Sequence, residues 1–181
     1  LETEFDISLR WRAFPLNTDT PEDGLPIEVV ARQYGVDVAD MMDHLHKTAE
    51  TLNLPLKNIE RVYNSRKAQE LGLWAQSQGQ GVKFHLAVFQ AYFVDNKNIA
   101  RLPVLLHLAE VAGLSCRAAQ EVIETGAFAA AVDADWSVSR EKEIRLAPTF
   151  AINDAKLVGA KPYPIIQKFA EKNKAKYRIV N

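Results

Sequence analysis

At 181 residues, 48% of them hydrophobic and 25% charged, the chain has room for one domain, or one domain with a large insertion, and for a sizeable core. Its 22 Lys and Arg against 23 Asp and Glu leave a net charge of −1, which gives no bulk attraction to nucleic acid or to an anionic membrane. No apolar run reaches the ~18–20 residues of a membrane span, and a single cysteine excludes an internal disulfide framework. With no visible signal peptide, the expectation is a reducing, cytoplasmic setting.

Leu1 to Phe5 reads as the last turn of a helix entered in mid-element, so an upstream segment is expected before Leu1. Phe5, Ile7, Leu9, Trp11 and Ala13 then alternate with Asp6, Ser8, Arg10, Arg12 and Phe14, a period of two that predicts a strand. Pro15 ends it, and residues 17–26 form a turn-rich loop with Pro21, Gly24 and Pro26. A short helix is predicted over Ile27–Tyr34, stopped by Gly35. Asp37 caps a longer one to about Leu52, with Val38, Met41, Met42, Leu45 and Ala49 along one side.

After a loop around Pro55, Ser65 is the predicted cap of a helix carrying Ala68, Leu71, Leu73, Trp74 and Ala75 and ending near Gly79. Phe84, Val88, Ala91 and Tyr92 mark the next helix, and residues 95–98 a turn. Leu102 to Ala112 is helical and stopped by Gly113. Ser115 caps another helix, stopped by Gly126, and a further helix runs from Phe128 to about Arg145. Its acidic start and basic end suit the helix dipole. Strand signals return at Thr149–Ile152 and Lys156–Val158, joined by Asn153-Asp154. Pro162 or Pro164 opens a final helix with Ile165, Ile166, Phe169 and Ala170. The basic tail of Lys172, Lys174, Lys176 and Arg178 reads as a solvated helix end.

A hairpin is marginal by itself in water, so the first strand is expected to pair with it in one sheet that the helices interrupt. Several segments resemble one family. Trp11-Arg12-Ala13-Phe14-Pro15-Leu16-Asn17 is similar to its second strand and exit loop. Asn64-Ser65-Arg66-Lys67-Ala68, Phe89-Gln90-Ala91-Tyr92-Phe93 and Ala112-Gly113-Leu114 are similar to its helical insertion. Ala147-Pro148-Thr149-Phe150 and Gly159-Ala160-Lys161-Pro162 are similar to its closing half. On these segments the chain resembles the DsbA-like thioredoxin-fold proteins, in the branch of FrnE-type proteins and 2-hydroxychromene-2-carboxylate isomerases.

That resemblance implies an α/β fold, a thioredoxin-like sheet with a large all-helical insertion. Residues 1–25 and 146–181 would form the thioredoxin-like domain and residues 26–145 the insertion. It implies a cis Ala147–Pro148 bond beside the reactive sulfur, with Pro148 in the catalytic site. Ala147 and Thr149 would then meet an extended peptide or glutathione. Phe14, Leu16 and Asn17, leaving the strand beside that site, would touch substrate, and Asn64 and Arg66 would be available to an anionic one. The family's first strand, and the helix opening on Cys-x-x-Cys or on a serine in its place, are not found in these residues.

The expected activity is thiol–disulfide exchange on a peptide or small-molecule thiol or disulfide, with the dithiol upstream of Leu1 and no resident cofactor. The alternatives are an isomerase using glutathione as co-substrate and an inactive binding module. Strand edges left open would also favour a homodimer. Other residues offer less. Cys116 follows the cap Ser115, where a dipole lowers a thiol pKa, but a lone thiol cannot close an intramolecular disulfide. His44 and His46 point to different helix faces, His85 and His107 stand alone, and no metal-ligand spacing occurs. Phe84, Tyr92, Phe93, Trp74 and Trp136 read as packing between helices, with a share lining a groove.

Overall fold

A computed structural model describes residues 1–178. The chain is mixed α/β, and it divides into two compact units: residues 15–133, and residues 1–14 together with the chain from Ala134 on.

In the larger unit, β1 (Leu25–Pro26) pairs antiparallel with β2 (Arg61–Val62), Leu25 opposite Val62 and Pro26 opposite Arg61. Sequence patterning reads residues 17–26 only as a loop, because two-residue strands are too short to show a period. Gly24 makes this ribbon feasible. Its φ is +74°, and a Cβ there would lie 2.7 Å from the Val62 carbonyl oxygen and 2.5 Å from the Tyr63 ring, so only glycine fits.

The helices α1 (Ile27–Gln33) and α2 (Val38–Thr51) follow. Asp37 caps α2 as predicted, its carboxylate accepting the Asp40 N–H at 3.0 Å. Then come α3 (Arg66–Ser77), α4 (Gly81–Phe93), α5 (Leu102–Val111) and α6 (Cys116–Thr125). Their apolar faces close on one another around Leu71, Phe84, Leu105 and Ala119, all fully buried. A smaller cluster gathers Ile27, Met42 and Ile59.

One helix start differs from expectation. Ser65 occupies the N-cap position of α3 without capping it, because its hydroxyl accepts from the Gln69 side chain at 2.9 Å. The Asn64 side-chain oxygen takes the Arg66 N–H instead, at 2.9 Å.

The helix α7 (Ala129–Glu141) carries the chain from the larger unit into the smaller and stops short of the predicted Arg145. Glu143 turns to φ +51°, and the Ile144 N–H returns to the Ser139 carbonyl at 2.8 Å, a helix ending of the Schellman type. Next, β3 (Thr149–Ile152) and β4 (Ala155–Val158) form an antiparallel hairpin with Thr149 opposite Val158. Asn153 at φ +53° makes the turn. Pro162 precedes α8 (Tyr163–Lys172), whose Ala170 is buried.

The predicted strand over residues 5–13 is not formed, nor the single sheet that it was to complete. Only Phe5 makes a bridge, opposite Tyr177. The Asp6 N–H donates to the Lys176 carbonyl and the Arg178 N–H to that of Glu4, at 2.8 and 2.7 Å. Residues 7–15 have no regular structure. Alternation prepares a segment for a sheet, but a strand exists only where a neighbouring edge supplies the ladder. The burial pattern shows the same thing: Phe5 and Ala13 are buried, whereas Leu9 and Trp11 are about half exposed.

Tyr92 packs against both clusters of the larger unit, and its hydroxyl donates to the Arg61 carbonyl at 3.0 Å. Burial, with the neighbouring Tyr63 charge as a second cause, pushes the phenol up to about 12. The folded state therefore keeps this proton where the unfolded chain, ionising near its ordinary ~10, has lost it. The contribution of Tyr92 to stability is fully present below that ordinary value and is lost as pH rises through the folded one. Denaturant midpoints should fall more steeply above pH ~10 in the wild type than in Tyr92→Phe. Parallel curves would refute the assignment.

Candidate functional site

In the smaller unit, Leu146, Ala147 and Pro148 form an exposed loop at the entrance to β3, and the Ala147–Pro148 bond is cis. Both flanks of this loop are tied down. The Thr149 hydroxyl donates to the Leu146 carbonyl at 2.6 Å, and the Gly159 N–H donates to the Pro148 carbonyl at 2.8 Å. Ala147, between the two bonded carbonyls, is exposed. An exposed, held main-chain segment beside a hairpin is suited to pairing with an extended peptide.

Residues 11–14 belong to the same unit and are held by α7. Asp135 is buried, its side chain only 4% exposed. Its carboxylate accepts from the Arg12 guanidinium at 2.5 Å and from the Ala13 N–H at 3.0 Å. A buried carboxylate is tolerated only when such donors replace water, so this side chain and this stretch of backbone require each other. The Ser139 hydroxyl bonds back to the Asp135 carbonyl at 3.0 Å. Phe14, half-buried, follows directly.

Sequence reasoning missed Asp135, although a signal was present. Phe128, Val132, Asp135 and Ser139 recur at helical spacing, which puts a carboxylate on the inward face of a helix.

Leu16, Asn17, Asn64 and Arg66 lie in the larger unit. Leu16 is half exposed. Asn17 turns to φ +53° and its side-chain oxygen accepts from the Tyr34 hydroxyl at 3.0 Å. Asn64 is a corner piece: its amide donates to the Thr20 carbonyl at 2.8 Å while its oxygen caps α3. Arg66 bonds Glu70 at 2.8 Å, Asp133 at 2.6 Å and the Ala129 carbonyl at 2.9 Å. The Asp133 bond first, then Glu70, hold its pKa above the ordinary guanidinium value against the opposing effect of burial. The structure thus groups Ala147, Pro148, Thr149 and Phe14 in one unit and the other four in the second.

Cys116 is half-buried at the first turn of α6. Burial lowers the pKa of His85, favouring its neutral form. Among the described residues no group of three or more His, Cys, Asp or Glu is placed to hold a metal ion, and no helix is long and apolar enough to cross a membrane. Phe84 and Trp74 are core residues, and Tyr92 and Phe93 pack partly buried against it.

Asn64→Ala removes the acceptor of the Arg66 N–H and the donor to the Thr20 carbonyl together. A loss of about 1–3 kcal/mol is expected, read as a lower denaturant midpoint. Faster amide exchange confined to the start of α3 should accompany it. An unchanged midpoint would mean that water serves both groups equally well.

Known proteins bear on this arrangement. The chain is similar to the uncharacterized protein YwbO of Bacillus subtilis (strain 168), with 25% identity over 164 residues, 90% of this chain and 80% of that protein. In three dimensions it is similar to the crystal structure of a probable DsbA oxidoreductase from Streptomyces coelicolor. The TM-score is 0.78 at 18% identity, covering 91% of this chain and 76% of the other. The family model described as DSBA-like thioredoxin domain matches residues 1–170. With nearly the whole sequence matched, the chain belongs to the DSBA-like thioredoxin domain family.

Proposed function

We propose that the protein is a thiol–disulfide oxidoreductase of the DsbA-like family, in its FrnE-type branch, working on extended peptide substrates in a reducing, cytoplasmic compartment. The observation that carries this reading is the family match across residues 1–170, together with the exposed and tethered loop Leu146–Pro148. In it, Ala147 and Thr149 pair with the substrate main chain, Pro148 abuts the reacting sulfur, and Phe14 of the same unit contacts substrate side chains.

The chemistry needs two thiols, and residues 1–181 contain one, Cys116. Both reactive cysteines therefore lie outside these residues in this proposal. The first, as thiolate, attacks one sulfur of a substrate disulfide. The substrate S–S bond breaks, a mixed disulfide forms and one substrate thiolate leaves. The second cysteine then attacks the mixed disulfide, releases the other substrate thiolate and closes a protein disulfide. Two electrons pass to the substrate, and a dithiol reductant restores the protein.

The protein expressed from its natural reading frame, with whatever residues precede Leu1, should show more than one thiol when denatured and reduced. With dithiothreitol as reductant it should accelerate insulin reduction above dithiothreitol alone. A single thiol and no acceleration would overturn the reading. Turnover of 2-hydroxychromene-2-carboxylate with glutathione by that same preparation would then favour the isomerase alternative.

A further inference from the structure

We infer that Asp135 is a positioning residue for substrate binding, acting through Phe14, an inference that rests on the peptide-binding reading above. The carboxylate is buried, and it grips adjoining residues in two different ways. It accepts the main-chain N–H of Ala13 at 3.0 Å and the guanidinium of Arg12 at 2.5 Å. Two bonds of different direction leave the chain little freedom of rotation at residues 12 and 13. Where Phe14 leaves the backbone is thereby decided one residue earlier.

Residues 7–15 join no ladder, so no neighbouring strand sets the backbone that leads into Phe14. The Leu9 N–H donates to the Glu2 carboxylate at 2.8 Å, and a side chain of α7 fixes residues 12 and 13. The carboxylate is itself anchored, since it projects from a helix whose next turn is tied back by the Ser139 hydroxyl to the Asp135 carbonyl. Arg12 closes the arrangement from outside: its side chain is 45% exposed while its partner is 4% exposed, so the guanidinium screens the buried charge from water. Fixing an aromatic contact before substrate arrives lowers the ordering cost of binding. Asp135 therefore sets affinity without touching the substrate.

The test is a double-mutant cycle on the protein expressed from its natural reading frame. The probe is fluorescently labelled, reduced and carboxymethylated insulin B chain, an extended peptide without thiols, and binding is read by anisotropy. Asp135→Ala should weaken binding by roughly tenfold, the size expected for losing charge-assisted bonds. Asp135→Asn, which keeps an acceptor for the Ala13 N–H, should recover part of that loss. In a Phe14→Ala background, itself weakened, neither change at 135 should cost anything further. Arg12→Gln, at a half-exposed position and still a donor to the carboxylate, serves as second variant should Asp135→Ala not fold, and its effect should likewise vanish without Phe14. A loss at 135 or 12 that is equally large with and without Phe14, or no loss at all, overturns the positioning role and leaves the peptide-binding reading standing. No binding by the wild-type chain overturns that reading, and this inference with it.

Discussion

The packing of α3, α4, α5 and α6 against one another is the constraint on which the rest of the larger unit depends. Leu71, Phe84, Leu105 and Ala119 are fully excluded from water, and each fully buried large apolar side chain contributes about 1.5–3 kcal/mol. With α3 set by this core, its N-terminus becomes a firm point. Asn64 and Arg66 sit there, and their bonds to Thr20, Ala129 and Asp133 bring remote backbone to the same corner. Polar contacts of that kind are individually modest. They are made from a helix whose apolar face is fixed in the core.

The smaller unit is organised differently. Its buried residues are few, chiefly Phe5, Ala13, Asp135, Ser139 and Ala170. The hairpin shows one half-buried face, with Phe150, Ile152, Ala155 and Leu157 on it, and an opposite face exposed at Ala151, Lys156 and Val158. Much of its order rests on specific polar ties. Asp135 grips residues 12 and 13, and Glu4 accepts from the Tyr163 hydroxyl at 2.7 Å. The Phe5 ring stacks on Tyr177 with centroids 4.5 Å apart. Such a unit is governed by geometry at a few points rather than by the volume of its core.

The smaller unit's mode meets the needs of the proposed chemistry. Thiol–disulfide exchange asks little of a protein beyond a reactive thiolate and a well-placed disulfide. Placing the disulfide is a matter of backbone presentation and of contacts aimed in advance. In the proposed reading, the tethered Leu146–Pro148 loop supplies the first, and the segment gripped by Asp135 the second.

Helices were legible because each of their determinants is local. Asp37 and Ser115 cap α2 and α6 as expected, and Gly35, Gly79, Gly113 and Gly126 all adopt positive φ at helix ends. The hairpin was legible too, with Asn153 at its turn. The Ala147–Pro148 loop and the family itself were readable from short motifs around them. What sequence by itself could not determine was pairing. Phe5 to Phe14 carries a strand's alternation yet forms no strand, because a ladder requires an edge that residues 5–14 alone do not contain. Competition for a single acceptor was equally hidden: Ser65 had the right place to cap α3, but Gln69 took its hydroxyl and Asn64 the capping role. Asp135 is the clearest case. Its spacing with Val132 and Ser139 put a carboxylate on an inward face, but only tertiary structure could show which donors, more than a hundred residues away in sequence, made that burial affordable.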